Sequence, residues 1–341
     1  MEVIFYDIVE ILAKILVIFG GMMFVAGWTT WTERKVVGHM QFRLGVMRTG
    51  PHGLLQPLAD GVKLFFKESI LPDGADRVTF ELAPILSLVP AIMSIAIVPF
   101  AGPDSTFQVM GRTIYPYIAD LQIGILFIFA WSSLSPYGLI LAGWSSNNKY
   151  SLLGALRAAA LVISYEIPFG FAIIGVLMKV GSLNLIDIVA AQSGYMLGFI
   201  PNYFIFSQPI AALIFFIAIV AETNRPPFDL SEAESELVAG YFTEYAGMRF
   251  SIFFLAEYIS MVVIAAMFTV FFLGGWHGPI LPAPLWFMIK TYMIVISYMW
   301  LRATLPRIRY DQMMTFCWKI LLPLSILNIF ITALLNSPTK G

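Results

Sequence analysis

Eight stretches of mostly apolar residues, roughly 11–31, 82–101, 117–142, 155–178, 203–222, 250–274, 284–305 and 316–335, dominate this chain. Each approaches or exceeds the ~20 residues that a helix needs to cross a bilayer. Lipid offers the backbone no hydrogen-bond partner, so such segments satisfy themselves as helices. The two-residue alternation of a transmembrane barrel is absent. Of the 341 residues only 12% are charged, against about 25% in a soluble domain. The reading is an all-α polytopic membrane protein, one transmembrane domain over residues 1–341. No segment resembles another closely enough to be a repeat.

Composition also excludes chemistry. A net charge of −1 gives no basic field for nucleic acid. A single cysteine, Cys317, rules out an internal disulfide and a cysteine-held iron–sulfur cluster. His39, His52 and His277 all fall between spans, so a haem between helices has no ligand, and neither phosphate-loop nor dinucleotide glycine motifs occur. The chain is expected to carry no metal or redox centre; electrons, if any, come from a partner. Its first ten residues hold Glu2, Asp7 and Glu10 and no Lys or Arg, opposite to a secretory signal, so the first span is expected to stay.

Lys and Arg set the orientation. All except Lys14, Arg112, Lys179, Lys290 and Lys340 lie in or beside the loops after spans 1, 3, 5 and 7. The positive-inside rule puts these loops in the cytoplasm and both termini outside, in a multi-pass protein of the cell's inner membrane. Loops of about 32–81 and 222–249 carry most of the unusual chemistry, which points to a face for a cytoplasmic partner.

In the first of these loops, residues 53–68 place Leu54, Leu58, Val62, Phe65 and Phe66 at helical spacing opposite Gln56, Asp60, Lys63 and Lys67. That pattern predicts an amphipathic surface helix, either a plain anchor or the sill of a site reached from lipid. Asp60 and Lys63, at i and i+3, are placed to pair. Thr32-Glu33-Arg34-Lys35 is expected to end span 1.

Acids stand where lipid makes them costly. Glu166 falls near the middle of span 4, beside Pro168, which cannot donate to the Ser164 carbonyl. A charge there costs at least ~2.5–3.5 kcal/mol. Glu222, Asp229, Glu232, Glu234, Glu236, Glu244 and Glu257 follow in or beside spans 5 and 6. Ser231 and Glu234 suit a capping box, which accounts for one or two of them. Crowded carboxylates in low dielectric resist joint ionisation, which suits a proton path. The loop with Arg302, Arg307 and Arg309 is a cationic cluster fit to balance acids or an anionic ligand.

These stretches resemble the subunit 1 family (the H subunit in bacteria) of proton-pumping NADH:quinone oxidoreductase, respiratory complex I. The likeness runs through Glu33-Arg34-Lys35, the 53–64 strip, 142–150, Gly154-Ala-Leu-Arg157, Ser164-Tyr-Glu166 and 222–229. It continues through 232–237, Glu244-Tyr245, Ala256-Glu257-Tyr258 and 306–311, in order and over nearly the whole chain. The resemblance implies a quinone cavity with Glu33, Arg34, Asp60, Lys63, Arg302, Arg307 and Arg309. It implies a proton path through Glu166, Glu222, Asp229, Glu232, Glu234, Glu236, Glu244 and Glu257. It also implies quinone as substrate, an iron–sulfur cluster in a cytoplasmic partner, and antiporter-like and small membrane subunits beside it. Two departures stand out. Where the family usually shows Gly-Pro-Asn after the Gln-x-Arg of the first loop, Gln41-Phe-Arg43-Leu-Gly45 is followed here by Val46-Met47-Arg48, and span 3 has no acid between Leu121 and Gly143. A membrane subunit of an energy-converting hydrogenase or ferredoxin-linked complex would share the acids without needing a quinone cavity. An autonomous ion-coupled transporter predicts inverted repeats or paired broken helices.

Overall fold

The computed structural model describes residues 2–105, 107–109, 112–196, 200–229 and 240–336. It is a helical membrane bundle: α1 Glu2–Met40, α2 Gln56–Phe66, α3 Arg77–Ile95, α4 Gly124–Ser132, α5 Ser135–Ser145, α6 Lys149–Val180, α7 Leu185–Ala190, α8 Phe204–Ser207, α9 Pro209–Glu222, α10 Gly247–Phe272, α11 Ala283–Thr304, α12 Tyr310–Phe316 and α13 Leu322–Asn336. Two small antiparallel hairpins, Phe107–Val109 with Arg112–Ile114 and Tyr195–Met196 with Ile200–Pro201, lie in the loops. Among the described residues seven helices have spanning length, with α4 and α5 taken together and α12 and α13 taken together, and the apolar α9 is shorter.

Two helices form the hubs. α6 packs against α5, α9 and α13, and α10 against α3, α11 and α1. Asn148 caps the start of α6 by accepting from the Tyr150 N–H at 3.0 Å. Gly181 ends it in the left-handed region, φ 73°. Pro168 leaves the Ser164 carbonyl without its helical donor, and the Cys317 thiol takes that place at 3.2 Å. Cys317 opens a π turn, Cys317–Leu321, that joins α12 to α13, just ahead of Pro323, which cannot donate to the carbonyl of Lys319.

Span 2 is helical only to Ile95, short of the expected 101, and three other spans depart in ways that bear on the site. α1 runs on to Met40, so Glu33 and Arg34 sit inside a helix rather than at its end. Span 3 is not helical before Gly124 and is interrupted at Ser133–Leu134, because Pro136 cannot donate to the Ser132 carbonyl. Span 5 is interrupted at Gln208, φ −137° and ψ 59°, because a residue before proline leaves the helical region. The Gln208 amide then crosses to the Gly175 carbonyl at 2.9 Å and the Thr332 hydroxyl at 3.2 Å. Gly175 leaves room for this crossing, since a Cβ there would stand 2.6 Å from the Gln208 side-chain oxygen and displace it. Two spans are thus broken, although the apolar runs that predict them are continuous.

Candidate functional site: an ion-pair junction between two cavities

The predicted surface helix is α2, shorter at each end than the 53–68 pattern. Its apolar side chains Leu58, Val62, Phe65 and Phe66 are exposed to the surroundings. Between α1, α2 and α10 lies a cavity of about 640 Å³ with Trp28, Arg34, Asp60, Lys63, Phe254 and Tyr258 in its wall. Asp60 does not pair with Lys63. Its carboxylate holds Arg34 at 2.6 Å and accepts from Gln56 at 2.8 Å. The carboxylate faces α1, and a bond across to that helix ties the sill to the bundle. In the departing loop, Met47 Sδ accepts from Lys35 at 2.7 Å, and Gly53, φ 78°, packs its backbone on the Val46 carbonyl.

Behind the cavity Glu33 is buried, 6% exposed. It accepts from Tyr258 at 2.7 Å and from Arg225 at 3.0 and 3.2 Å, and it pairs with Arg302. Arg225, 4% exposed, also pairs with Glu257 at 2.9 Å and stacks on the Tyr258 ring at 4.6 Å. Burial works against the charge on Arg225, but the carboxylates of Glu257 and Glu33 outweigh it and hold the guanidinium well above its ordinary range. Glu33 therefore belongs to a buried ion-pair junction whose outer member, Tyr258, faces the cavity.

On the far side of Glu257 is a second, small cavity of about 80 Å³ between α3, α4, α5, α6, α9 and α10, with Ser87, Ser94, Ser132, Ser135, Glu222 and Glu257 among its walls. It opens where span 3 is broken, as expected of irregular backbone at membrane depth. The Ser132 hydroxyl donates to Glu222 Oε1, while Glu222 Oε2 has no hydrogen-bond partner among the described residues. Glu166 lies close enough to Glu222 for their charges to interact. By volume the cavity has room for several waters, each needing about 10–15 Å³.

The other expected residues divide. Asp229, 1% exposed, pairs with Arg307 at 3.0 Å, so Arg302 and Arg307 do balance acids. Arg309 turns outward to Asp311 at 2.9 Å. Glu244 accepts from the Asn148 amide at 2.8 Å. Glu232, Glu234 and Glu236, with the capping box at Ser231, lie outside the described residues. The groups missed from sequence are Arg225, Tyr258 and Ser132. Arg225 and Tyr258 stand beside acids in the chain, but their common partner Glu33 is 192 and 225 residues away.

Known proteins carry the same chain pattern. The family model "NADH dehydrogenase" matches residues 13–333. The NADH-quinone oxidoreductase H subunit 1 of Geobacter sulfurreducens is 49% identical over 346 residues, covering 99% of this chain and 97% of its own. The NADH-quinone oxidoreductase H subunit of Thermomicrobium roseum is 51% identical over 312 residues, covering 91% of each chain. With a matched model over nearly its whole length and relatives identical at about half of their positions, the chain belongs to the NADH dehydrogenase family, to which the H subunits of NADH-quinone oxidoreductase are similar throughout, and it is one subunit of a multi-subunit membrane enzyme.

Proposed function

We propose that this chain is the membrane subunit that receives quinone in a proton-pumping NADH:quinone oxidoreductase and passes the effect of quinone reduction to a row of buried acids. The observation that carries the reading is continuity. Tyr258 faces the 640 Å³ cavity and donates to Glu33. Glu33 is bonded to Arg225, Arg225 is paired with Glu257, and Glu257 shares the small polar cavity with Glu222.

Reducing a quinone consumes protons and alters charge at the cavity wall. The Arg225 charge is fixed, so the electrostatic response falls on the carboxylates it holds. A change at Tyr258 or Glu33 shifts the balance of Arg225 between Glu33 and Glu257. Glu257 and Glu222 then exchange protons through the hydroxyl-lined cavity, with Glu166 next to Glu222. Protons leave towards antiporter-like partner subunits. The quinone is reduced by an iron–sulfur cluster in a cytoplasmic partner docked on loops 32–81 and 222–249, with both termini on the outer side of the inner membrane.

The test is purification of the tagged chain in mild detergent, with identification of partners, quinone reduction by the eluate and proton uptake in vesicles. Iron–sulfur partners with inhibitor-sensitive quinone reduction are expected. Glu222→Gln is expected to assemble and reduce quinone while pumping fewer protons per electron. Full pumping by that assembled variant would sink the proton-path reading.

A further inference from the structure

Tyr298 stands on α11 one helical turn before Arg302 and is 1% exposed. Its ring packs on Phe216 of α9, with 5.9 Å between centroids. Its hydroxyl has no hydrogen-bond partner among the described residues. A buried phenol ordinarily finds one, and a phenylalanine would fill the same space without stranding a polar atom. None of the stretches that carry the family resemblance includes this position.

Packing therefore does not account for the phenol oxygen. The charged group close enough to act on it is Glu222. Phe216 and Glu222 share α9 and lie ~9 Å apart along it at ~1.5 Å per residue. A ring seated on Phe216 is thus within a side chain's reach of the carboxyl. Glu222 Oε1 accepts from Ser132, but Oε2 is buried and has no partner among the described residues. Two stranded polar atoms of complementary kind, a hydroxyl and a carboxyl oxygen, therefore fall in one neighbourhood. They are not bonded to each other, and one water between them completes both. A buried water ordinarily makes about three such bonds, and a bridge of this kind is nearly as good as a direct hydrogen bond.

We propose that Tyr298 is a positioning residue of the proton path, holding the second oxygen of Glu222 through one bridging water as Ser132 holds the first. The proposal rests on the proton-path reading above and adds a residue to it. When Glu222 is ionised, the phenol donates to the water and the water donates to Oε2. When Glu222 holds a proton, Oε2 donates to the water and the water donates to the phenol oxygen. The phenol stays neutral in both states and takes up no net proton. The carboxyl is thereby satisfied whether charged or not, which an acid exchanging protons in low dielectric requires. Arg302 lies on the same face of α11 and pairs with Glu33. One helix thus reaches the ion-pair junction through Arg302 and Glu222 through Tyr298, a second connection parallel to Arg225 and Glu257.

The experiment is infrared difference spectroscopy of the assembled complex before and after quinone reduction. The carboxyl C=O band of Glu222 is identified by its loss in Glu222→Gln. In Tyr298→Phe that band is expected to move to higher frequency, as when a carboxyl loses a hydrogen bond, and protons moved per electron are expected to fall. Phe216→Leu disturbs the packing of the same ring and keeps the hydroxyl, so there the band is expected to stay in place. Should Tyr298→Phe fail to assemble, a ring-fluorinated tyrosine at position 298 replaces it. That phenol is a stronger donor of nearly equal size and is expected to move the band the opposite way. A Glu222 band unmoved by either change at 298 would overturn the role of Tyr298 and leave the proton path standing. Equal shifts in Tyr298→Phe and Phe216→Leu would also overturn it, since packing alone would then explain them. A spectrum from which Glu222→Gln removes no band would take down the proton path at Glu222 and this proposal with it.

Discussion

Arg225 donates to Glu33 at 3.0 Å across 192 residues of sequence, and both side chains are buried. The pair links α1 to the loop after α9, and Glu257 on the other side of the guanidinium extends it to α10. A buried ion pair gains little over an apolar isostere, but removing one partner leaves a charge stranded. Arg225→Met is therefore expected to cost about 3–5 kcal/mol, read as a lower melting temperature of the detergent-purified protein. The double variant Arg225→Met with Glu33→Gln is expected to recover part of that loss. Equal melting of wild type and Arg225→Met would mean the junction is not closed as described.

Tyr258 is the one member of this junction that also faces the 640 Å³ cavity between α1, α2 and α10. Tyr258→Phe keeps the ring under Arg225 and removes the hydrogen bond to Glu33, 2.7 Å in length. Hydrogen bonds to charged groups contribute about 1.5–3 kcal/mol, so stability falls by that order. If the junction couples the cavity to the acids, quinone reduction persists while protons moved per electron decline. The two rates are measured together in proteoliposomes with a pH-sensitive dye. A parallel fall of both would make Tyr258 a quinone-site residue alone.

The bundle was legible in the sequence because lipid imposes a length scale that apolar runs display directly. The interruptions were not. Pro136 and Pro209 stand inside apolar runs, and a window of mean hydropathy passes over them, although each removes a helical donor. The sign of the cluster at Arg302 and Arg307 was legible, and so was its use against acids; the choice of Glu33 and Asp229 as partners was not. Asp60 shows the limit of local spacing. Lys63 is three residues away, yet the carboxylate pairs with Arg34 from another helix. Glu33 was expected at a helix end because its charges look like a membrane boundary. It lies in the bundle because Arg225, Arg302 and Tyr258 together supply what lipid cannot.

Ser132 supplies the hydroxyl on Glu222 from the broken span that has no acid between Leu121 and Gly143. Ser132→Ala leaves the buried carboxylate with neither oxygen bonded among the described residues. An unsatisfied buried polar group costs about 1–3 kcal/mol. Pumping per electron is expected to fall in Ser132→Ala and to be largely kept in Ser132→Thr, which retains the hydroxyl. Equal loss in both would point to packing at the break rather than to the hydroxyl.

His277, in the loop between α10 and α11, titrates below its ordinary range. Burial is the main cause, Lys290 adds to it, and the Val189 carbonyl opposes it. A histidine with a lowered folded value favours the neutral ring. Its contribution to stability is present above the unfolded value of about 6.5 and is lost as pH falls through the lowered folded one. Wild-type protein is expected to melt earlier at pH 5 than at pH 7 by more than His277→Gln does. A pH response identical in the two would place the sensitivity elsewhere.

Cys317 offers the cleanest test of how a proline is accommodated in this membrane helix. Its thiol donates to the Ser164 carbonyl that Pro168 leaves without a helical donor. Cys317→Ala is expected to cost about 0.5–1.5 kcal/mol, the usual net value of one such bond, and Cys317→Ser less. Pro168→Ala returns a backbone N–H to the same carbonyl, so in that background Cys317→Ala should be nearly neutral. The double-mutant cycle then yields a coupling of about 1 kcal/mol, measured by thermal melting in detergent. Strict additivity of the two substitutions would show that thiol and proline act independently and that the carbonyl is satisfied in some other way.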